Sequence, residues 1–381
     1  MLHLEQLRSD VQALSARAVE QQRRRQAACE QALARLAASP DPARVRARVA
    51  HQQGGRETFA LPATDAPLDR RCTAEPAPPA GTTAVAVDGS QIMPDRHAAV
   101  LYYLIQVGGL VFRYDGAAPT PHREATLHFD EAELYDRDGR IIGHQLGMRR
   151  TVAELAFLAQ LTAQADGDVA PVVALTDGPL LWPYSRRSEE EQTLLPNYLA
   201  AMDRLRETRA LAAGFVERPG GRPLLNTLSL LSSEAGEAAS APAHLDDRTL
   251  MARYLAPGER SVWLIRRSAM NERHRRAGHE IWFCYVNVGA RGQPVIARVE
   301  TPHWAAQRDE GSETLHAVLT DQARILHGYP YALARAHELA LVTRDDKTAL
   351  DNLLQRRLME AGLPTRPSEK ARQKSYLGRR R

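Results

Sequence analysis

The run PVVALTD, residues 171–177, constrains this chain more than any other stretch. It is apolar at consecutive positions and closes on an acid. A strand without in–out alternation is buried on both faces. Burying both faces takes helices on each side of a sheet, and the flanks supply them. MRRTVAELAFLAQLTAQA (148–165) has helical spacing, and so does the stretch at about 190–212. The chain is therefore expected to be α/β.

Upstream, TAVAVDGS (83–90) repeats the pattern of a strand that ends on Asp-Gly. AVLYYLIQVGGLVFRYD (99–115) reads as one or two strands broken at Gly108-Gly109, and REATLHF (123–129) as another. The links are too short for crossovers, so these strands are expected to be antiparallel neighbours. A short strand is expected near 214–217, a surface loop at 234–247, and strands at 261–267, 281–288 and 294–300. Helices are expected at 312–327 and 331–344, the second started by Pro330. Three antiparallel strands, a helix, a buried strand, a helix and a further strand is the order of an RNase H-like mixed sheet flanked by helices.

At the N-terminus, residues 3–37 read as one long helix. Leu4, Leu7, Val11, Leu14 and Ala18 form a short heptad seam that dissolves into QQRRRQ at 21–26. The seam either packs on its own domain or binds a partner. Residues 39–82 are rich in Pro, Ala and Arg and read as a connector. The tail from Arg366 carries seven basic residues and one acid and reads as disordered.

In an RNase H-like sheet the first and fourth strands lie side by side. Asp88 ends one and Asp177 the other, each followed by glycine. Paired carboxylates repel unless a cation lies between them. Glu154 aligns with Phe157, Leu158 and Leu161, which turns it toward the sheet. His337 aligns with Leu333, Ala340 and Leu341 on the last helix and makes a fourth candidate, with a core histidine as the alternative. Tyr329, in the Gly-Tyr-Pro turn before that helix, is a fifth, with a structural tyrosine as the alternative. Carboxylates plus one imidazole suit Mn²⁺, with Mg²⁺ as the second choice. Such a site serves phosphodiester hydrolysis.

Composition excludes more than it assigns. The 44% hydrophobic content supports a large core, and the net charge of +4 only weakly favours a polyanionic partner. Cys29, Cys72 and Cys284 form no CxxC pair, which speaks against a zinc site or disulfide framework and for a reducing, cytoplasmic setting. No signal peptide or membrane span is expected. No GxxxxGK[ST] loop is present, so the chain is not expected to hydrolyse ATP.

The motifs AVDGSQIMPDRH, RRTVAELAFL, VVALTDGPLLW, LAAGFVERP, LAPGERS and GYPYALARAHELA occur in this order between about 80 and 347. Together they resemble the NurA family of DNA end-processing nucleases. Pro179 after Gly178, in place of serine, is a departure from the pattern that touches no ligand. The resemblance implies a homodimeric, Mn²⁺-dependent 5′-to-3′ exonuclease that resects DNA ends in double-strand break repair, with single-strand endonuclease activity as a further expectation. It implies DNA ends, single- or double-stranded, as substrate. It also implies a hexameric HerA-type translocase ATPase as partner. The family's acidic ligands fall on Asp88, Glu154 and Asp177, and its Tyr and His on Tyr329 and His337. The domains are then an arm at 1–38, a connector at 39–80, a nuclease domain at 81–347 and a C-terminal helix with basic tail at 348–381. Two other readings stay open: an actin-like or sugar-kinase-type ATP-binding protein, and a non-catalytic adaptor for a translocase.

Overall fold

The computed structural model describes every residue except 1–3, 53–57, 97, 99, 137, 138, 140, 144, 166–169, 184–188, 233–244 and 364–381. Most of the expected surface loop at 234–247 and the whole basic tail from 366 lie outside the described residues. After a 3-10 turn (Leu4–Leu7) come α1 (Arg8–Ala37), α2 (Pro42–Ala50), β1 (Phe59–Pro62) and β2 (Arg71–Thr73). Then follow β3 (Thr83–Ile92), β4 (Tyr103–Arg113), β5 (Thr120–His128), α3 (Glu131–Leu134), α4 (Leu146–Ala165), β6 (Val172–Asp177), α5 (Glu189–Glu207) and β7 (Leu211–Val216). The remainder is α6 (Pro223–Leu231), α7 (Asp247–Tyr254), β8 (Glu259–Ser261), β9 (Leu264–Arg267), α8 (Ala269–Arg276), β10 (Ile281–Asn287), β11 (Ile296–Pro302), α9 (His303–Ala306), α10 (Gly311–Ile325), α11 (Tyr331–Ala340) and α12 (Arg344–Glu360).

The chain divides into two compact units. One holds Met1–Pro78, Gly178–Leu181 and Ala213–Pro330; the other holds Pro79–Asp177, Trp182–Ala212 and Tyr331–Arg381.

The second unit is built on β3. It pairs antiparallel with β4, β4 pairs antiparallel with β5, and β3 pairs parallel with β6. These four strands form a mixed sheet in the order β5-β4-β3-β6. Helix α4 lies on one face through Phe157, Leu158 and Leu161, all buried. Gly108 and Gly109 do not break the second strand: β4 runs through them from Tyr103 to Arg113. The physical reason is room. An ideal Cβ on Gly108 would stand 2.3 Å from the Ala340 nitrogen, and one on Gly109 would stand 2.4 Å from Leu161 Cδ1. The glycine pair lets α11 press on one face and α4 on the other.

The first unit is an antiparallel sheet. β9 pairs with β1 and β10, β10 with β11, and β11 with β7, while β2 pairs with β8. Its core gathers Cys29, Ala32 and Leu36 of α1 with Leu224, Leu225 and Leu228 of α6 and Phe283 and Tyr285 of β10. Asp247 is fully buried there. It accepts the Leu224 and Leu225 N–H groups at 2.9 Å each and the Tyr285 hydroxyl at 2.8 Å, so it satisfies the start of α6. Burial nevertheless pushes its carboxyl up to about 6.

Further segments differ from the pattern-based reading: the helix expected at 331–344 ends at Ala340, and a new helix starts at Arg344, where Thr343 caps it. Residues 39–82 hold α2, β1 and β2, because Asp41 caps Pro42–Ala50 through the Ala43 and Arg44 N–H groups and Val45 and Val49 recur four apart on a buried face. The stretch 261–267 splits into β8 and β9 around the buried Val262 and Trp263, where the Trp263 indole donates to Ser312 Oγ at 2.8 Å.

Candidate metal centre

Strand register decides where the acids go. Val87 pairs with Thr176 in the parallel β3–β6 ladder, so the next residues stand side by side: Asp177 ends β6, whereas Asp88 does not end its strand as expected but lies within β3, which stays paired with β4 to Ile92. Neighbouring strands lie about 4.8 Å apart. Asp177 is exposed and Asp88 half-buried.

Glu154 approaches from α4. It is 8% exposed, so the helical spacing that turned it toward the sheet is correct. Its carboxyl lies against the backbone of Gly89, where an ideal Cβ would meet Glu154 Oε1 at 2.5 Å and Cγ at 2.9 Å. Glycine after Asp88 is therefore the condition for this acid to reach the strand. Burial pushes the Glu154 carboxyl up to about 8; Arg150 opposes the shift, and Asp88 and Asp177 add to it. All three carboxylates thus share one electrostatic neighbourhood. Arg150 Nε stands 3.0 Å from Glu154 Oε1, although its N–H is not aimed at the oxygen.

His337 reaches Asp88 from α11. Its Nδ1 lies 2.6 Å from Asp88 Oδ2, and its side chain is 65% exposed. The alternative of a core histidine is thereby excluded. With Nδ1 protonated the ring donates to Asp88 and keeps Nε2 as its acceptor. Sequence reading missed what holds it there. Gly108 pairs with Asp88 across β3–β4 and gives the α11 backbone its seat. Ser90 Oγ donates to the Ala340 carbonyl, and Gln106 Nε2 donates to the same carbonyl at 3.0 Å and to Leu339 O at 3.3 Å. These bonds satisfy carbonyls at the end of α11, which no residue of the helix can reach. The Ser90–Gln106 pairing follows only from the strand register; Arg150, four residues before Glu154, was legible from spacing.

Tyr329 belongs to the other unit. Its ring meets Phe215 edge-on, with centroids 5.5 Å apart.

The donor set fits a divalent cation chemically: hard carboxylates, one imidazole, and an acid held near neutrality among acids. The donors are not gathered around one point. Among the described residues no three His, Cys, Asp or Glu side chains are placed to hold one ion. Glu154 lies by Arg150 and Asp88 turns to His337.

A cleft of about 1360 Å³ elsewhere in this unit contains none of these residues. Ile105, Val107 and Phe157 are among the residues that line it. In its lining Arg149 donates to Tyr103 Oη and to Glu190, and His128 stacks on Tyr103.

The NurA domain matches residues 82–342 of this chain. The chain belongs to the NurA family, a family of nucleases. Two solved structures are similar to it. One is described as the crystal structure of NurA, with 12% identity, a TM-score of 0.43, and coverage of 74% of this chain and 90% of that one. The other is described as NurA with manganese, with 12% identity, a TM-score of 0.41, and coverage of 74% and 91%. At such TM-scores the likeness carries no argument, and membership of the NurA family rests on the domain match. No curated protein matches the chain. Among the described residues no helix is long and apolar enough to cross a membrane.

Proposed function

We propose that this NurA-family chain is a metal-dependent DNA nuclease whose centre is Asp88, Glu154, Asp177 and His337. The observation that carries the reading is the buried Glu154 carboxyl, raised to about 8 with Asp88 and Asp177 among the causes. Acids forced together in this way are stabilised by a cation and destabilised without one. A bound divalent ion would lower the pKa of water and polarise a phosphodiester. The chain's own residues do the rest. Asp88, Glu154 and Asp177 supply oxygens, and His337 is oriented through Nδ1 by Asp88 so that Nε2 remains a donor to metal.

The finer reading follows the sequence motifs. The ion is Mn²⁺, with Mg²⁺ as second choice; the donor chemistry of three carboxylates and one imidazole supports this. The substrate is a DNA end, cut in the 5′-to-3′ direction during resection for double-strand break repair. The assembly is a homodimer in the cytoplasm. The lack of a GxxxxGK[ST] loop supports a separate, HerA-type hexameric ATPase as the motor.

The test is cleavage of end-labelled DNA with Mn²⁺, Mg²⁺ or EDTA, using wild type, Asp88→Ala and Asp177→Ala. Cleavage should need metal and fall at least a hundredfold in each variant. Near-wild-type cutting by either variant would overturn the site. ATP binding without cutting would favour the ATP-binding alternative, and neither activity would favour the adaptor.

A further inference from the structure

The arm carries an apolar stripe that is half used. In α1, Cys29, Ala32 and Leu36 are buried in the core of the first unit, and Ala28 and Leu33 pack against it. The stripe runs on toward the N-terminus in the same phase, through Ala18, Leu14, Val11 and Leu7. Here it is uncovered: Leu7 is 38% exposed, Val11 60% and Leu14 67%. These residues keep the 4-3-4 spacing of a coiled-coil seam, and they lie outside the stretch matched by the NurA domain.

We propose that this seam is covered by the same helix of a second copy, running antiparallel. Orientation follows from charge. In a parallel pair Arg23, Arg24 and Arg25 of one copy would lie beside the same three residues of the other, with Arg25 in the seam itself. An antiparallel pair separates them to opposite ends. One antiparallel register stacks Val11 on Leu14 of the second copy and Leu7 on Ala18 of the second copy. The same register sets Asp10 next to Arg17 of the second copy at the flank of the seam, and two-fold symmetry repeats the pair. All four residues Asp10, Val11, Leu14 and Arg17 are exposed in the single chain. Flanking charges of this kind select partner and orientation in paired helices. The inference does not depend on the nuclease reading.

Few layers are involved, so the contact is suited to disulfide trapping. Cys72, half-exposed, is first replaced by serine; Cys29 and Cys284 are buried. Full-length chains carrying Leu7→Cys and Ala18→Cys are mixed in equal amounts and oxidised gently. The mixture should yield several-fold more linked dimer than either variant alone. Arg17→Asp should cut that yield several-fold, and adding Asp10→Arg to the same chain should restore it. The proposal is overturned if Leu7→Cys links to itself as readily as the mixture does, which would mean parallel helices. It is also overturned if the mixture links no better than the controls.

Discussion

At the scale of single residues the decisive group is Glu154. Its folded carboxyl titrates near 8 and its unfolded one near 4.5. Between these values the native state holds the extra proton, so stability is greatest below 4.5 and is lost as pH rises through 8. Asp247, raised to about 6, acts with the same sign over a lower window. His274 and His316 act oppositely: burial lowers them to about 4 and 3, so they favour folding more as pH rises toward 6.5. Between pH 6.5 and 8, Glu154 is therefore the one of these four still titrating. In EDTA, wild type should lose about 1–2 kcal/mol across that window relative to Glu154→Gln. Urea melts at three pH values check this, and parallel curves would show that Glu154 ionises normally. His337 makes a second residue-scale case. If it donates to metal through Nε2, His337→Ala should raise the Mn²⁺ concentration for half-maximal cleavage several-fold, with partial rescue by excess ion. An unmoved midpoint and rate would remove His337 from the centre.

At the scale of elements, two glycines on adjacent strands do different work. Gly89 faces the tip of a side chain, whereas Gly108 faces the backbone of α11. Neither has a positive φ, so alanine fits both backbones. Gly89→Ala should push Glu154 away from β3, costing cleavage at least tenfold while the melting temperature hardly moves. Gly108→Ala has no such relief and should destabilise the fold by roughly 1–3 kcal/mol, as overpacking does, by unseating the helix that carries His337. Comparing thermal melts with cleavage rates separates the two. Equal loss of stability in both would mean that Gly89 is merely a packing position.

At the scale of the whole molecule, charge is the informative property. The net charge of +4 is modest, but the segment from 366 is strongly basic. Nuclease-inactive Asp177→Ala protein should bind DNA without sequence preference, with affinity falling steeply in salt as counterions are released. Deleting residues 366–381 should flatten that slope and leave the cleavage chemistry of the otherwise native chain in place. Fluorescence anisotropy at several salt concentrations measures it, and a salt-independent affinity would exclude phosphate contacts as the main attraction. Metal belongs to the same scale. Saturating Mn²⁺ should raise the melting temperature of wild type, and do so less in Asp88→Ala, because a ligand of the native state stabilises it by mass action.

The sequence by itself determined the strand that ends on Asp177, the strand that carries Asp88 although not that β3 runs on to Ile92, the helix that turns Glu154 inward, and the order of elements around them. These are local matters. An apolar run without alternation and a 3.6-residue period depend on neighbours along the chain, so they can be read from it. It also carried the motifs that mark the family. Tertiary structure alone decided the rest. Gly108-Gly109 looks like a break because glycine weakens strands, yet β4 passes through, since only the packed fold shows the helices those glycines admit. His337 shares an apolar-looking face, yet it is exposed and turned to Asp88, because the end of α11 is held by Ser90 and Gln106 from strands some 250 and 233 residues away. Contacts at such separations depend on register between strands and on how closely a helix can approach them, and neither leaves a periodic trace in the chain.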